Sequence, residues 1–247
     1  MTDLLRSELL KLRTTRTFWL VIASGWGLMV LITVLALALD STPATESEVR
    51  GILSTAGTSG LFVLVLGVVA SAGEYRHGTI SSTFLVAPDR LRVLLSQALA
   101  YTAAGFLIGC AAAALMAAIA LPWLASIDAP NMPSRELLGL FLGGAAYGGL
   151  AGGLGVAVGA VLRNQVAGIV LLLVVLFVLD PALSALLDGY APYSLTGLGV
   201  TISGGTGEDV AGGTDLLPVW GAVLVWASYA LALIGAATVL TRRRDIT

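Results

Sequence analysis

Charged residues are scarce in this 247-residue sequence, and long stretches contain none. Lysine, arginine, aspartate and glutamate together make up 11% of the residues, whereas 57% are hydrophobic and the mean hydropathy is +0.94. The charged fraction of a soluble domain is about 25%. The composition therefore excludes an ordinary soluble domain and predicts a polytopic membrane protein.

The residue types that carry most catalytic and metal chemistry are nearly missing. The sequence has one histidine, His77, one cysteine, Cys110, and one lysine, Lys11. A P-loop reads G-x-x-x-x-G-K-[ST], and Lys11 follows Leu10, so the chain has no such nucleotide-binding loop. A serine hydrolase would have to pair His77 with a serine such as Ser203 across the bilayer, and no cluster of metal ligands is present. We predict a chain that is not an enzyme and binds no cofactor or metal.

Uncharged runs long enough to cross a bilayer recur along the chain. A transmembrane helix needs about 20 apolar residues. Five runs reach that length, and a sixth reaches it by continuing through Asp180 and Pro181. The first run is longer than the roughly 7 to 15 residues of a signal-peptide core, so we interpret it as a retained helix. We predict one all-α domain over residues 1–247 with six transmembrane helices at 17–39, 51–73, 97–121, 137–162, 166–187 and 217–240.

The basic residues fall almost entirely on one side of this topology. Six spans place both termini on the same side, and eleven of the thirteen basic residues lie there. These are Arg6, Lys11, Arg13, Arg16, Arg76, Arg90, Arg92, Arg163, Arg242, Arg243 and Arg244. Only Arg50 and Arg135 lie on the other side. By the positive-inside rule both termini are cytoplasmic, and we expect a multi-pass protein of the bacterial plasma membrane.

Residues 3–16, ahead of the first span, have the pattern of an amphipathic helix. Their apolar residues near one face are Leu4, Leu5, Leu9 and Leu12, and the basic residues lie largely elsewhere. Such a helix lies in the membrane interface with its cations towards anionic headgroups. The alternative is that the basic residues only set topology, and the two interpretations are compatible.

Glycine is concentrated in the fourth span, which has eight glycines between Gly143 and Gly159. Small residues spaced by four let helix backbones approach closely. Tight packing within the chain is one interpretation, and a subunit interface or a moving helix is the other.

Asp180 is the one carboxylate inside an apolar run. It predicts either an intramembrane functional acid, such as a proton or cation site, or a kink with Pro181 whose carboxylate reaches interfacial water. The following residues, 181–195, are too apolar for an open loop and too short for a span, which favours re-entrant or interfacial helices between the fifth and sixth spans. Residues 202–213 are glycine-rich and predict a loop.

One polar segment, residues 73–92, interrupts the apolar runs on the predicted cytoplasmic side. Gly78 can end the second span, and Asp89 can cap the next helix. Between them lies a short stretch that is polar on one side and apolar on the other, which predicts a two-turn amphipathic helix. Its apolar residues are Ile80, Phe84 and Leu85. The alternative is a solvated loop.

This segment resembles a known family. The run E-Y-R-H-G-T-I-S-S-T-F-L-V-A-P-D-R, from Glu74 to Arg90, resembles the Glu-x-x-x-Gly-Thr-hydrophobic and Pro-x-Arg segment between the second and third helices of ABC-2 type transporter permeases. The opening S-E-L-L-K-L-R-T-T-R-T-F-W resembles the amphipathic N-terminus of the same family. With six spans and a glycine-rich fourth helix, the resemblance covers essentially the whole chain.

The resemblance implies an exporter permease of type V-like fold, in which two copies, or one copy and a related permease, pair with two cytosolic ABC ATPase subunits. ATP and magnesium would bind in those partners; the bilayer is the other partner, and no nucleic acid is involved. The segment after the second helix would be a cytosolic coupling helix that contacts the ATPase. Carried onto this sequence, its residues are Glu74, Arg76, Gly78, Thr79, Ile80, Phe84, Pro88 and Arg90. A second contact would come from Arg163, Asn164 and Gln165, which match by position only.

Two other classes stay open. A secondary carrier would have paired intramembrane charges and internal repeats, whereas this sequence has only Asp180 and no clear repeat. A non-transporting polytopic scaffold would make no use of the amphipathic segment. A neighbouring gene for a P-loop ATPase would favour the permease over both.

Overall fold

The computed structural model describes residues 7, 8, 10–12, 14–39, 43, 45–76, 78, 79, 89–207, 210 and 215–243. For residues 241–243 it describes the backbone only. All regular elements in these residues are helical. Six helical segments are long and apolar enough to cross a membrane. This confirms the predicted all-α class and the predicted number of spans.

The helices follow one another as an up-and-down series. The first span is α1, Arg16–Leu39, and the second comprises α2, Glu46–Ser54, a 3₁₀ turn, Thr55–Gly57, and α3, Thr58–Arg76. The third and fourth spans are α4, Arg90–Ser126, and α5, Ser134–Leu162. The fifth comprises α6, Gln165–Val174, a π turn, Val175–Leu179, and α7, Asp180–Leu186. A 3₁₀ turn, Ala191–Tyr193, and the short helix α8, Leu195–Ser203, precede the sixth span, α9, Val219–Arg243.

Two helices extend beyond the predicted spans because polar residues cap them. The Thr45 hydroxyl accepts a hydrogen bond from the Glu48 N–H at 3.3 Å, and α2 therefore begins at Glu46, before the predicted residue 51. The Asp89 carboxylate accepts one from the Arg92 N–H at 3.2 Å, which confirms the predicted cap of α4. Hydropathy marks only the apolar part of a helix, whereas the cap marks where its backbone hydrogen bonding begins.

The glycine-rich helix α5 is central in the bundle and packs against α3, α4, α8 and α9. A Cβ atom on Gly148 would lie 2.5 Å from the carbonyl oxygen of Gly105 in α4. A Cβ atom on Gly109 would lie 2.6 Å from the carbonyl oxygen of Gly144. The backbones of α4 and α5 are therefore in direct contact, which only glycine permits. This geometry supports the interpretation of these glycines as packing within the chain.

Helix α8 begins at the end of segment 181–195, for which re-entrant or interfacial helices are predicted. Its side chains Leu198 and Ile202 are almost completely buried in a cluster with residues of α3, α5 and α9. The helix ends before Gly204, which has a left-handed φ of 89°. The first residues of the predicted loop 202–213 therefore belong to a buried helix.

Ahead of the first span, the described residues between 7 and 14 are helical, and the helix is interrupted at Thr15. Leu12 is buried in a cluster that includes Leu66 of α3, whereas Leu10 is 64% exposed. The other predicted apolar residues of this helix lie outside the described residues: Leu4, Leu5 and Leu9.

Candidate functional site

The start of α1, the end of α3, the start of α4 and the α5–α6 connection meet at one face of the bundle, which we call the N-terminal face. Two contacts between distant parts of the chain define it. Lys11 contacts Glu74 at the end of α3. The Cζ atom of Arg163, where α5 ends, lies 5.2 Å from the ring centroid of Tyr75. Most of the described residues that the sequence predicts as site residues lie at this face.

Lys11 joins the N-terminal helix to the end of α3. Its Nζ atom lies 2.6 Å from a carboxylate oxygen of Glu8 and 2.6 Å from one of Glu74. The two glutamates are 6% and 9% exposed, whereas the Lys11 side chain is 47% exposed. Charge-assisted hydrogen bonds of this length are the strong ones in proteins. We call these three residues the Glu8–Lys11–Glu74 cluster.

The ionisation of the cluster follows from its burial and its internal hydrogen bonds. Burial raises the pKa of Glu8, because a carboxylate loses hydration, and this outweighs the hydrogen bonds from Lys11 and Gln97. Burial lowers the pKa of Lys11, but its hydrogen bonds to Glu74 and Glu8 outweigh that effect, so the pKa is raised. Lys11 is therefore charged at neutral pH.

A cavity of about 600 Å³ opens beside the cluster, between the N-terminal helix, α1, α3 and α4. Gln97 and Tyr101 of α4 line it and are 3% and 6% exposed. Phe18 of α1 and Leu66 and Val69 of α3 supply part of its apolar wall. The cavity therefore combines buried polar groups with an apolar surface, the combination found in many small-molecule sites.

The predicted coupling segment is described only at its two ends. Helix α3 ends at Arg76, and the N–H of Gly78 donates to the Tyr75 carbonyl at 3.3 Å. Gly78 has a φ of 68°, the left-handed conformation that ends helices, which confirms its predicted role as a helix breaker. The Thr79 hydroxyl donates to the Glu74 carbonyl at 3.4 Å. The other predicted contact residues of this segment lie outside the described residues: Ile80, Phe84 and Pro88.

The three predicted arginines of the N-terminal face have different surroundings. Arg76 is exposed and lines the cavity, and Arg90 is the first residue of α4. Arg163 caps α5 with a left-handed φ of 54°, and its N–H donates to the Gly159 carbonyl at 2.9 Å. Since its guanidinium lies over Tyr75, the α5–α6 connection is adjacent to the end of α3. The structure thus brings the two predicted contact regions together.

Sequence reasoning did not identify Glu8, Lys11, Gln97 or Tyr101 as site residues. The Glu-x-x-Lys spacing puts Glu8 and Lys11 on one helical face, so the sequence alone could have predicted their ion pair. The contact of Lys11 with Glu74 joins residues 63 positions apart and depends on the fold. Gln97 and Tyr101 lie in an apolar run, and their spacing by four shows only that they share a face of α4.

Asp180 lies away from the N-terminal face, where it joins the fifth span to α8. It is 2% exposed, and its carboxylate accepts hydrogen bonds from the Tyr190 hydroxyl at 2.9 Å and from the Thr196 N–H and hydroxyl at 2.9 and 3.1 Å. Pro181 follows it and has no N–H to donate, and a π turn precedes both. These hydrogen bonds stabilise the buried carboxylate of Asp180, so a structural role is enough to explain its burial.

Comparison with known proteins identifies no family, since no protein-family model and no curated protein matches the chain. Within the part of the chain that the structure describes, no three His, Cys, Asp or Glu side chains lie together as possible metal ligands.

Proposed function

We propose that the chain is the transmembrane permease subunit of an ATP-binding-cassette exporter of the ABC-2 type. ATP hydrolysis is supplied by two separate cytosolic ATPase subunits, which hold ATP and magnesium. The membrane domain is completed by a second copy of the chain or a related permease. The six apolar spans, the missing P-loop and the resemblance of residues 74–90 to the coupling segment of that family support this proposal.

The observation that carries the proposal is the linkage of the end of α3 to two other elements. Glu74 is joined through Lys11 to the N-terminal helix, and Tyr75 contacts Arg163 at the end of α5. The chain then leaves α3 at Gly78 and enters the predicted coupling segment. A displacement of that segment by a partner ATPase would therefore act on the N-terminal helix, the second span and the fourth span together. Switching by rigid-body movement of packed helices is a common mode of coupling.

Co-purification from native membranes tests the proposal. The tagged chain is extracted in mild detergent, and its bound proteins are identified and quantified. We expect a P-loop ATPase at one copy per permease chain, with ATPase activity in the purified complex. If no P-loop ATPase is bound, the permease assignment is wrong.

A variant at the start of the coupling segment tests which surface binds. Proline cannot adopt the φ of 68° at Gly78, so Gly78→Pro should lose the ATPase or its coupled activity while the permease keeps its thermal stability. Gly73→Ala is the matched control, because a Cβ atom there meets nothing within 4 Å. Glu74→Ala is less informative, since Glu74 is also buried in the cluster with Lys11. Equal ATPase binding and ATP-driven transport by Gly78→Pro and wild type would contradict the coupling role.

A further inference from the structure

The cavity beside the Glu8–Lys11–Glu74 cluster is not needed for contact with an ATPase. We propose that it binds a lipophilic amine, with the ammonium group between Glu8 and Glu74 and the apolar body along the α1 and α3 wall. This binding site stands independently of the permease assignment. Only the further idea that the amine is transported cargo rests on the proposed function.

The two buried carboxylates define the ammonium position. Glu8 and Glu74 each accept a hydrogen bond from the same Nζ atom at 2.6 Å. Two carboxylates therefore share one cation in a place where water reaches neither freely, and an uncompensated buried charge is costly. Arg76 also lines the cavity, but it forms no ion pair with either carboxylate among the described residues.

Lys11 occupies this position as part of the chain itself. Its side chain is 47% exposed, so the ammonium can move into water without crossing a packed core. A ligand ammonium would replace it and keep the same two acceptors. Lys11 thus shows that the site binds an ammonium group, and its own ammonium competes with that of a ligand.

Tyr101 provides a second, independent polar group to the cavity. It is 6% exposed and lines the cavity, and its hydroxyl has no hydrogen-bond partner among the described residues. The hydroxyl oxygen is not fully covered by the described residues, so a ligand in the cavity can reach it. A hydroxyl that faces a cavity beside two carboxylates can accept a hydrogen bond from a ligand ammonium or donate one to another polar group of the ligand.

The size and walls of the cavity suit an apolar body. Its volume of about 600 Å³ lies within the roughly 300–1,000 Å³ range of small-molecule sites. The apolar wall is formed by Phe18, Leu66, Val69 and Ala70, at the ends of spans that cross the bilayer. A lipophilic amine partitioned into the membrane interface would reach this wall with its charge towards the cluster. The amine could be a free molecule or the headgroup of phosphatidylethanolamine.

The test is a binding titration on the purified full-length chain in phosphatidylcholine nanodiscs, with no ATPase present. The probe is dansylcadaverine, which joins a primary amine to an aromatic body, and its N-acetyl derivative is the uncharged control. We expect saturable binding of the amine and at least tenfold weaker binding of the acetylated probe. Because hydrogen bonds to charged groups contribute strongly, Glu8→Gln and Glu74→Gln should each weaken the amine's Kd by about tenfold.

Two further variants separate ligand recognition from folding. Lys11→Met removes the competing ammonium and should strengthen amine binding by about tenfold, a gain that a damaged fold would not produce. Tyr101→Phe keeps the ring and should weaken binding severalfold. The control is Gly139→Ala, near the start of α5 and not part of the cavity lining. An added Cβ atom there meets nothing within 4 Å, so this variant should bind the probe as wild type does. The proposal is overturned if the two probes bind equally, or if Lys11→Met fails to strengthen binding.

Nanodiscs that contain phosphatidylethanolamine distinguish the two sources of the amine. If this lipid raises the apparent Kd of the probe and Lys11→Met enlarges the effect, the headgroup is a ligand. If the Kd is unchanged, the site takes free amines. Stimulation of the ATPase by dansylcadaverine in the assembled complex then tests transport. Its absence would refute the cargo role and leave both the binding site and the permease assignment standing.

Discussion

Lys11 and Glu74 are 63 residues apart in the sequence, and Nζ of one lies 2.6 Å from Oε1 of the other. Glu8 shares the same ammonium. The only lysine in the chain therefore joins the N-terminal helix to the second span at the point where the predicted coupling segment begins. A shift at the end of α3 must either carry the N-terminal helix with it or break this ion pair.

A double-mutant cycle measures what this pair contributes to stability. Lys11→Met leaves two buried carboxylates without their cation, and Glu74→Gln removes one ionic acceptor. We expect each to lower the unfolding temperature, with a coupling energy of about 1 kcal/mol, since Lys11 is half exposed and water screens the pair. Thermal unfolding of the four proteins in detergent gives this value, and strictly additive losses would show that the pair contributes nothing.

The contact between α4 and α5 predicts that two glycine-to-alanine substitutions in α5 have different effects on stability. Gly148→Ala should be destabilising, whereas Gly139→Ala should not. A Cβ atom on Gly148 would lie 2.5 Å from a backbone carbonyl oxygen, which cannot move like a side chain. Gly148→Ala should therefore lower the free energy of unfolding by about 1–3 kcal/mol. Gly139→Ala meets nothing within 4 Å and should be neutral or slightly stabilising, because alanine favours a helix. Equal stability of the two variants would contradict the packing.

The parts of the fold that depend on local sequence were predictable. The six spans follow from apolar runs, the start of α4 follows from Asp89, and the end of α3 follows from Gly78. Each is determined by residues within a turn or two of chain. The glycines of α5 also indicated close packing, but which helices they contact depends on how all the spans assemble.

The candidate site was predicted only in part, since its centre is made by long-range contacts. Glu74 was identified from its segment, but its partner Lys11 lies ahead of the first span. Helix α8 begins at Leu195, where the Ser194 hydroxyl caps it by accepting from the Gly197 N–H. The Thr196 N–H in its first turn also donates to Asp180, at the end of the fifth span. No local pattern encodes either pairing.

Asp180 is expected to act as a structural residue. Asp180→Ala would leave the Tyr190 hydroxyl and the Thr196 N–H without their acceptor and should cost about 1–3 kcal/mol, whereas Asp180→Asn keeps one carbonyl acceptor and should cost less. If the chain is the proposed permease, Asp180→Asn should keep transport and its pH dependence, as should Asp188→Asn, a control at an exposed position. Loss of transport by Asp180→Asn with an unchanged unfolding temperature would instead favour a proton or cation site.

Glu8→Gln should change how stability depends on pH. Burial raises the pKa of Glu8 in the folded protein above its ordinary value, so the folded state binds this proton more readily than the unfolded state. The group therefore adds stability as pH falls towards the raised pKa and opposes folding above it. The unfolding temperature of Glu8→Gln minus that of wild type should be greater at about pH 8 than at about pH 5. The exposed variant Glu46→Gln is the control, and a difference that does not vary with pH would contradict the raised pKa.

The orientation in the membrane can be tested with single cysteines, because Cys110 is the only native one. In a Cys110→Ala background, Thr14→Cys places a thiol on the N-terminal helix, and Asn131→Cys places one between α4 and α5; both positions are exposed. Since eleven of the thirteen basic residues fall on the side of the termini, that side should be cytoplasmic. A membrane-impermeant maleimide added to intact cells should label the thiol at 131, and should label the thiol at 14 only after permeabilisation. The reverse pattern would place the Glu8–Lys11–Glu74 cluster and the predicted coupling segment outside the cell, where no cytosolic ATPase could reach them.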